Sequence, residues 1–137
     1  MMEKMECRSP FTWIAIRDLA STTGDALQMQ LGCPEALAAD EWRCAFRLVK
    51  DGFGTTKFAY GVDGLQALVQ AIAGLRSEVE AHDPPLSWLG GDPGDVGLPR
   101  FVPVYLGFEF SRKIEAMIEE EVRSFVEGAR RMAADSR

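Results

Sequence analysis

The chain has 137 residues, 47% of them hydrophobic, with a net charge of −6 and a pI near 4.8, values that fit a single domain burying roughly 68% of its unfolded surface. The acidic balance disfavours nucleic acid and anionic membranes as partners, because no excess of Lys and Arg is available to displace counterions, and no apolar run reaches the ~20 residues that span a bilayer. One histidine, His82, and three cysteines without a C-x-x-C pair, Cys7, Cys33 and Cys44, exclude a His-rich metal cluster, a two-histidine acid/base scheme, a disulfide framework and a zinc knuckle.

Residues 1–10 read as a flexible tail with no apolar h-region, which places the protein in the cytoplasm, and residues 11–133 as one α+β domain. Phe11 to Ile16 reads as a strand that is apolar on both sides of the pleat, so it is either central or covered on its outer face. Ser21 to Asp25 is a turn cluster. In Ala26 to Cys33, Leu27, Met29 and Leu31 alternate with Gln28 and Gln30, the pattern of a half-buried strand. Pro34 to Asp40 is a connector in which a helical turn is expected around Ala36 to Ala39. Glu41 to Val49 is the clearest strand, with Trp42, Cys44, Phe46 and Leu48 on one face and Glu41, Arg43, Ala45 and Arg47 on the other. That alternation makes Cys44 a small core residue rather than a nucleophile. Asp51-Gly52 closes a hairpin into a strand over Thr55 to Tyr60. Consecutive short strands with brief turns give an antiparallel meander of four or five strands, with two helices packed on one face.

At Gly61-Val62-Asp63-Gly64-Leu65-Gln66-Ala67-Leu68 the sheet passes into its best helix. Asp63 is placed as the N-cap, Gln66 three residues on as its reciprocal partner in a capping box, and Gly61 supplies the chain reversal. Leu65, Leu68, Val69, Ile72, Leu75 and Val79 then follow helical spacing. A Gly-rich turn at a helix N-terminus can hold an anion, but an anionic cap fills and repels that site. The stretch is therefore a hinge between sheet and helix. The helix ends near Ala81, before Pro84-Pro85, and Leu86 to Leu89 reads as a short extended piece. From Gly90 to Pro103 no period is visible and Gly and Pro abound; a loop of this length is functional or mobile more often than not. Val104 to Leu106 either adds an edge strand or packs. Ser111 is placed to cap the last helix, whose Ile114, Met117, Ile118, Val122, Phe125, Val126 and Ala129 form an apolar stripe.

Three patches in this order resemble a family of small bacterial proteins known only as a domain of unknown function. They are Trp42-x-Cys44-x-Phe46, Gly61-x-Asp63-x-Leu65-Gln66-Ala67-Leu68, and Trp88-x-Gly90 with Gly97-Leu98-Pro99, and the likeness spans about residues 40 to 125. The resemblance implies an α+β fold and no activity. Trp42, Cys44, Phe46, Gly61, Asp63, Gln66 and Leu68 are read as structural.

No complete catalytic, metal or phosphate motif is present, and no catalytic residue, cofactor or metal is assigned. Asp92 and Asp95 are a candidate pair for a hard cation, but their spacing lacks the alternating oxygen ligands of a calcium loop. His82, Asp83, Asp92 and Arg100 could converge as acid/base and anion-holding groups if the loop folds back over the helix end. The plainer reading sets His82 against the last carbonyls of its helix. Glu115, Glu119, Glu120 and Glu121 make the last helix acidic, with Glu119 and Arg123 an i,i+4 pair; its functional version is recognition of a basic partner. Trp13, Trp42 and Trp88 are read as packing residues rather than a ligand stack.

Two readings follow. The first is a non-enzymatic protein-binding module, immunity-type or regulatory, holding a protein partner through an open sheet face or the acidic helix. The alternative is a small-ligand-binding protein or enzyme with a pocket under the Gly90 to Pro103 loop, using His82, Asp92, Asp95 and Arg100. A homodimer is compatible with both, since the first strand is apolar on both faces.

Overall fold

The computed structural model describes residues 12–136. The expected tail over residues 1–10, with Cys7, and the first residue of the expected first strand, Phe11, lie outside them. By its internal contacts the chain forms two compact units, residues 1–99 and residues 100–137.

The first unit contains β1 (Trp13–Ser21), β2 (Ala26–Gly32), β3 (Glu35–Ala38), β4 (Glu41–Lys50), β5 (Lys57–Gly61), α1 (Gly64–Glu80) and β6 (Leu86–Ser87). Together they build a six-stranded sheet in which every pairing is antiparallel. Trp42 of β4 has Ala36 on one side and Gly61 on the other, while Phe46 has Leu31 and Lys57. β2 and β3 therefore share one edge of β4, and β5 takes the other. Leu31 faces Phe46 but Glu35 faces Arg43, so one extra residue is accommodated at Cys33-Pro34. This bulge splits what would otherwise be one long strand, and it is where a proline can sit without removing a ladder bond. The meander β1-β2-β4-β5 is as the alternation predicts. Leu86–Ser87, within the short extended piece expected at Leu86 to Leu89, pairs as β6 on the outer edge of β1, where Ser21 faces Leu86.

The helical turn expected at Ala36 to Ala39 is instead strand β3. Intrinsic helix preference is worth less than ~1 kcal/mol per residue, and pairing with β4, reinforced by the 2.6 Å ion pair from Arg43 to Glu35, outweighs it. β1 also runs further than expected, to Ser21, because Leu19 faces Leu27 across the ladder and both enter the core. The Asp51-Gly52 turn is as predicted, both residues having positive φ, 53° and 81°, as a tight hairpin of the primed kind requires.

One face of the sheet carries the core. Leu19, Leu27, Met29, Cys44 and Phe46 pack with Ala67, Ala71, Leu75 and Val79 of α1, and Trp42, Leu48 and Leu68 lie against them. α1 lies on β4 and β5. The approach is close: a Cβ at Gly74 would stand 2.6 Å from the Phe46 ring. The buried row of α1 is Ala67, Ala71, Leu75 and Val79, whereas Leu65, counted in its apolar stripe, is exposed.

The helix start has the expected caps. Asp63 Oδ1 accepts the Gln66 N–H at 2.8 Å, and Gln66 Oε1 accepts the Val62 N–H at 2.7 Å, so the reciprocal bond reaches one residue before the cap. Gly61 serves differently from the chain-reversal role expected of it. Its φ is not positive, but a Cβ there would meet the Ala67 nitrogen at 2.5 Å. Asp63→Ala should cost about 1 kcal/mol through the lost cap, read as a shift in urea midpoint without a change in slope.

The second unit contains α2 (Phe108–Asp135). It begins a turn earlier than expected. Gly107, at φ +104°, is the cap, and Ser111 lies inside the first turn, its hydroxyl donating to the Pro103 carbonyl at 2.6 Å and the Gly107 carbonyl at 3.2 Å. Val104 to Leu106 form no strand. Of the α2 residues only Ser111 is buried. The α+β class and antiparallel sheet are as expected, with six strands rather than four or five, and α1 is the helix packed on β4 and β5.

Candidate functional site

The Gly- and Pro-rich segment after α1 is tied down along residues 86–98. Gly94 N–H donates to the Leu86 carbonyl at 2.7 Å and Trp88 N–H to the Asp95 carbonyl at 3.0 Å, closing the loop on itself. Arg17, on the core-facing side of β1, reaches it from below. Its guanidinium stacks 3.7 Å from the centre of the Trp88 ring, and Nη1 donates to the carbonyls of Val96 at 3.1 Å and Gly97 at 3.0 Å. Arg76 of α1 donates to the Leu98 carbonyl at 2.9 Å and pairs with Glu80 at 2.6 Å. Gly97 has φ +71°, and a Cβ there would come within 2.4 Å of Trp88. Two cations hold the backbone of this loop. Sequence reasoning missed both, although an arginine in register with inward-facing Leu19 was a visible signal.

A pocket of about 170 Å³ opens where the loop leaves this strap. Met29, Leu31, Ile72, Leu75, Leu98 and Pro99 line it, with Arg17 the one charged residue on its wall. It offers room for an apolar group and no acid/base pair. Its place, beside the loop and α1, is near that of the pocket the sequence suggested.

None of His82, Asp92, Asp95 and Arg100 is among the residues that line it. His82 borders a shallow cleft with Leu48, Thr55, Lys57 and Glu78. Its Nδ1 is 2.8 Å from the Pro84 carbonyl, which can only accept, so Nδ1 carries the proton and the ring bonds forward into the turn rather than back to the helix carbonyls. Asp95 Oδ1 accepts the Gly97 N–H at 3.2 Å, and the Asp92 carbonyl accepts the Asp95 N–H at 2.9 Å; both aspartates shape the loop. Arg100 belongs to the second unit. Among the described residues no group of three or more His, Cys, Asp or Glu is placed to hold a metal ion.

The opposite face of the sheet carries a cross-strand chain of polar contacts. Gln28 donates to Asp18 at 2.9 Å, Gln30 to Gln28 at 2.7 Å, and Arg47 to Gln30 at 2.6 Å. Arg47 also covers the Trp13 ring at 4.4 Å, and Arg43 the Phe58 ring at 4.3 Å. Thus Trp42 and Trp88 pack against the core, whereas Trp13 lies under a cation on the other face. Ile14 and Ile16 are exposed.

Cys44 is fully buried and its Sγ–H donates to the Gly32 carbonyl at 3.2 Å. Burial, aided by the negative charge of Cys33 and Glu35, pushes its thiol up from 9.0 to about 11. The sign follows: a proton held more tightly in the folded state stabilises fully below pH 9 and is lost as the pH rises toward about 11. Stability should therefore fall over that alkaline window, and Cys44→Ala should flatten the fall. In native protein at pH 8, iodoacetamide should label exposed Cys33 and spare Cys44 until denaturant is added, as peptide mass spectrometry would read.

In the second unit, Glu115 pairs with Arg112 at 3.6 Å, and Arg123 pairs with Glu120. The i,i+4 partner expected for Arg123, Glu119, is passed over for the i,i+3 neighbour. The apolar stripe of α2 is open to solvent: Val122 is 57% exposed, Met132 75% and Phe125 78%. Among the described residues no helix is long and apolar enough to cross a membrane.

Residues 15–100 match the model of a family described as Domain of unknown function (DUF6968). Neither a search of curated proteins nor one of solved structures gives a significant match.

Proposed function

The chain belongs to the DUF6968 family, and we propose that it is a non-enzymatic protein-binding module, of the immunity or regulatory kind, whose binding element is α2. The observation that carries this reading is the stripe of Ile118, Val122, Phe125 and Met132, exposed along a helix of 28 residues. Exposed apolar surface of that extent is costly in water and marks a surface for association. Glu115, Glu119 and Glu120 border or oppose it, so the rim of a complementary surface carries cations, which set orientation and encounter rate more than affinity.

The test is photo-crosslinking in the cell of origin. A photoreactive residue in place of Phe125 should trap one protein species reproducibly, and the same residue in place of Glu127, on the opposite side of the helix, should not. Equal trapping at both positions, or none at Phe125, overturns the reading. The 170 Å³ pocket supports a second reading, a binder of a small apolar ligand; saturable uptake of such a ligand, lost in Leu75→Trp, would favour it.

A further inference from the structure

We infer that the surface α2 binds is α2 of a second copy of this chain, the two helices pairing antiparallel about Val122. This rests on α2 being a binding element and names its partner. At 100° and 1.5 Å per residue, Ile114, Ile118, Val122, Phe125, Ala129 and Met132 fall on one stripe, extending to both sides of Val122 along a helix of 28 residues. A two-fold axis beside Val122 sets Ile118 level with Val126 of the second copy and matches stripe to stripe, as an isologous interface requires.

The charges are distributed to suit this pairing. Before Val122, the acids Glu109, Glu115, Glu119, Glu120 and Glu121 outweigh Arg112 and Lys113; after it, Arg123, Arg130 and Arg131 outweigh Glu127 and Asp135. Parallel pairing would lay the acidic half on its own copy. Antiparallel pairing lays it on the basic half. Glu115, Glu119, Arg123 and Arg130 lie along the same border of the stripe, and the two-fold brings Glu115 within one residue of the level of the second copy's Arg130. Glu119 comes within two residues of the second copy's Arg123, about 3 Å along the axis. The existing pairs do not forbid this, since Arg112–Glu115 and Arg123–Glu120 are exposed and such pairs exchange readily. Glu121 opposes the arrangement: it borders the stripe on the other side and lies near its own symmetry mate.

Sedimentation equilibrium of the full chain tests this. The wild type should show a monomer–dimer equilibrium at micromolar concentration, and Phe125→Asp a monomer that melts at one temperature whatever its concentration, equal to that of the wild type diluted below its dimerisation range, because Phe125 is exposed in the single chain. Glu115→Arg and Arg130→Glu should each weaken dimerisation about threefold or more, the scale of an exposed ion pair, and the two together should restore it. Glu121→Gln should tighten it. A dimer that survives Phe125→Asp, or charge variants that fail to rescue each other, overturns the antiparallel pairing. A monomer at every concentration overturns it as well. If the crosslinker at Phe125 then traps a different protein, α2 remains a binding element with another partner; if it traps nothing, both readings fall.

Discussion

Gly61→Ala should destabilise the protein by about 2–3 kcal/mol, two to three times the effect of Asp63→Ala, although it adds a single methyl group. The added carbon would stand 2.5 Å from the Ala67 nitrogen and 2.9 Å from the Gln66 carbonyl carbon. Both are backbone atoms in the first turn of α1, and a backbone cannot swing aside as the end of a side chain can. Relief requires α1 to lift from β5 or β5 to bend away from β4. Either movement opens the best-packed contact in the unit, because Ala67 and Ala71 are fully buried against the sheet. It also stretches the Val62–Gln66 bond of the capping box. Conformational strain is not the cause, since Gly61 does not have positive φ. Gly52→Ala separates the two effects: it has φ +81° and nothing within 4 Å of an added Cβ, so it carries strain without a clash and should cost only ~1 kcal/mol. Urea denaturation of the three variants would rank them. A loss at Gly61 no larger than that at Gly52 would mean that α1 is seated less tightly on β5 than these distances state.

The features that could be read in advance are local ones. Alternation in Glu41 to Val49 placed Cys44 and Phe46 in the core, and the Asp63 and Gln66 spacing placed the caps, because each signal is complete within a few residues. β3 was missed for the converse reason. Glu35 to Ala38 has no pattern of its own and becomes a strand only because β4 offers an edge to it. At α2 the side-chain cap rule pointed to Ser111, but a glycine in a left-handed conformation made the turn first, and the serine hydroxyl went to the Pro103 carbonyl. The loop after α1 was the least legible part. Its composition announced irregular backbone, yet what fixes it is Arg17, 79 residues away from Val96 along the chain, and Arg76, 22 residues away from Leu98. No periodicity reports such pairings. The pocket beside the loop could be placed by topology, but its lining comes from β1, β2, α1 and the end of the loop together, which is why reading the polar residues nearest in sequence does not give that lining.

Arg17→Met should remove about 2–3 kcal/mol, a second large effect for a residue that is not fully buried and has no ion pair among the described residues. Methionine keeps the apolar stem against the core and discards the guanidinium. Two carbonyls, those of Val96 and Gly97, then lose a charged donor, which is worth roughly 1.5–3 kcal/mol for such bonds, and Trp88 loses a stacked cation worth roughly 0.5–2 kcal/mol. The sum is not reached because water can reach the Gly97 carbonyl in the variant and because Arg76 still holds Leu98. Arg17→Lys restores the charge but neither the planar stacking nor the forked donor geometry, so it should recover less than half of the loss. Trp88→Ala in the wild type and in Arg17→Met completes a cycle in which the stacking energy appears as a coupling of about 1 kcal/mol. Hydrogen exchange locates the effect: the Trp88 and Gly94 amides, bonded to Asp95 and Leu86, should exchange faster in Arg17→Met, while those of β4 follow global stability alone. Because Arg17, Leu98 and Pro99 also line the 170 Å³ pocket, the variant loosens that wall. It changes no residue of α2, so the pairing proposed for α2 predicts that sedimentation gives the same dimerisation constant for the variant as for the wild type. A changed constant would tie the strap to association, whereas exchange unchanged at Trp88 and Gly94 would mean that the loop holds itself through its own backbone bonds.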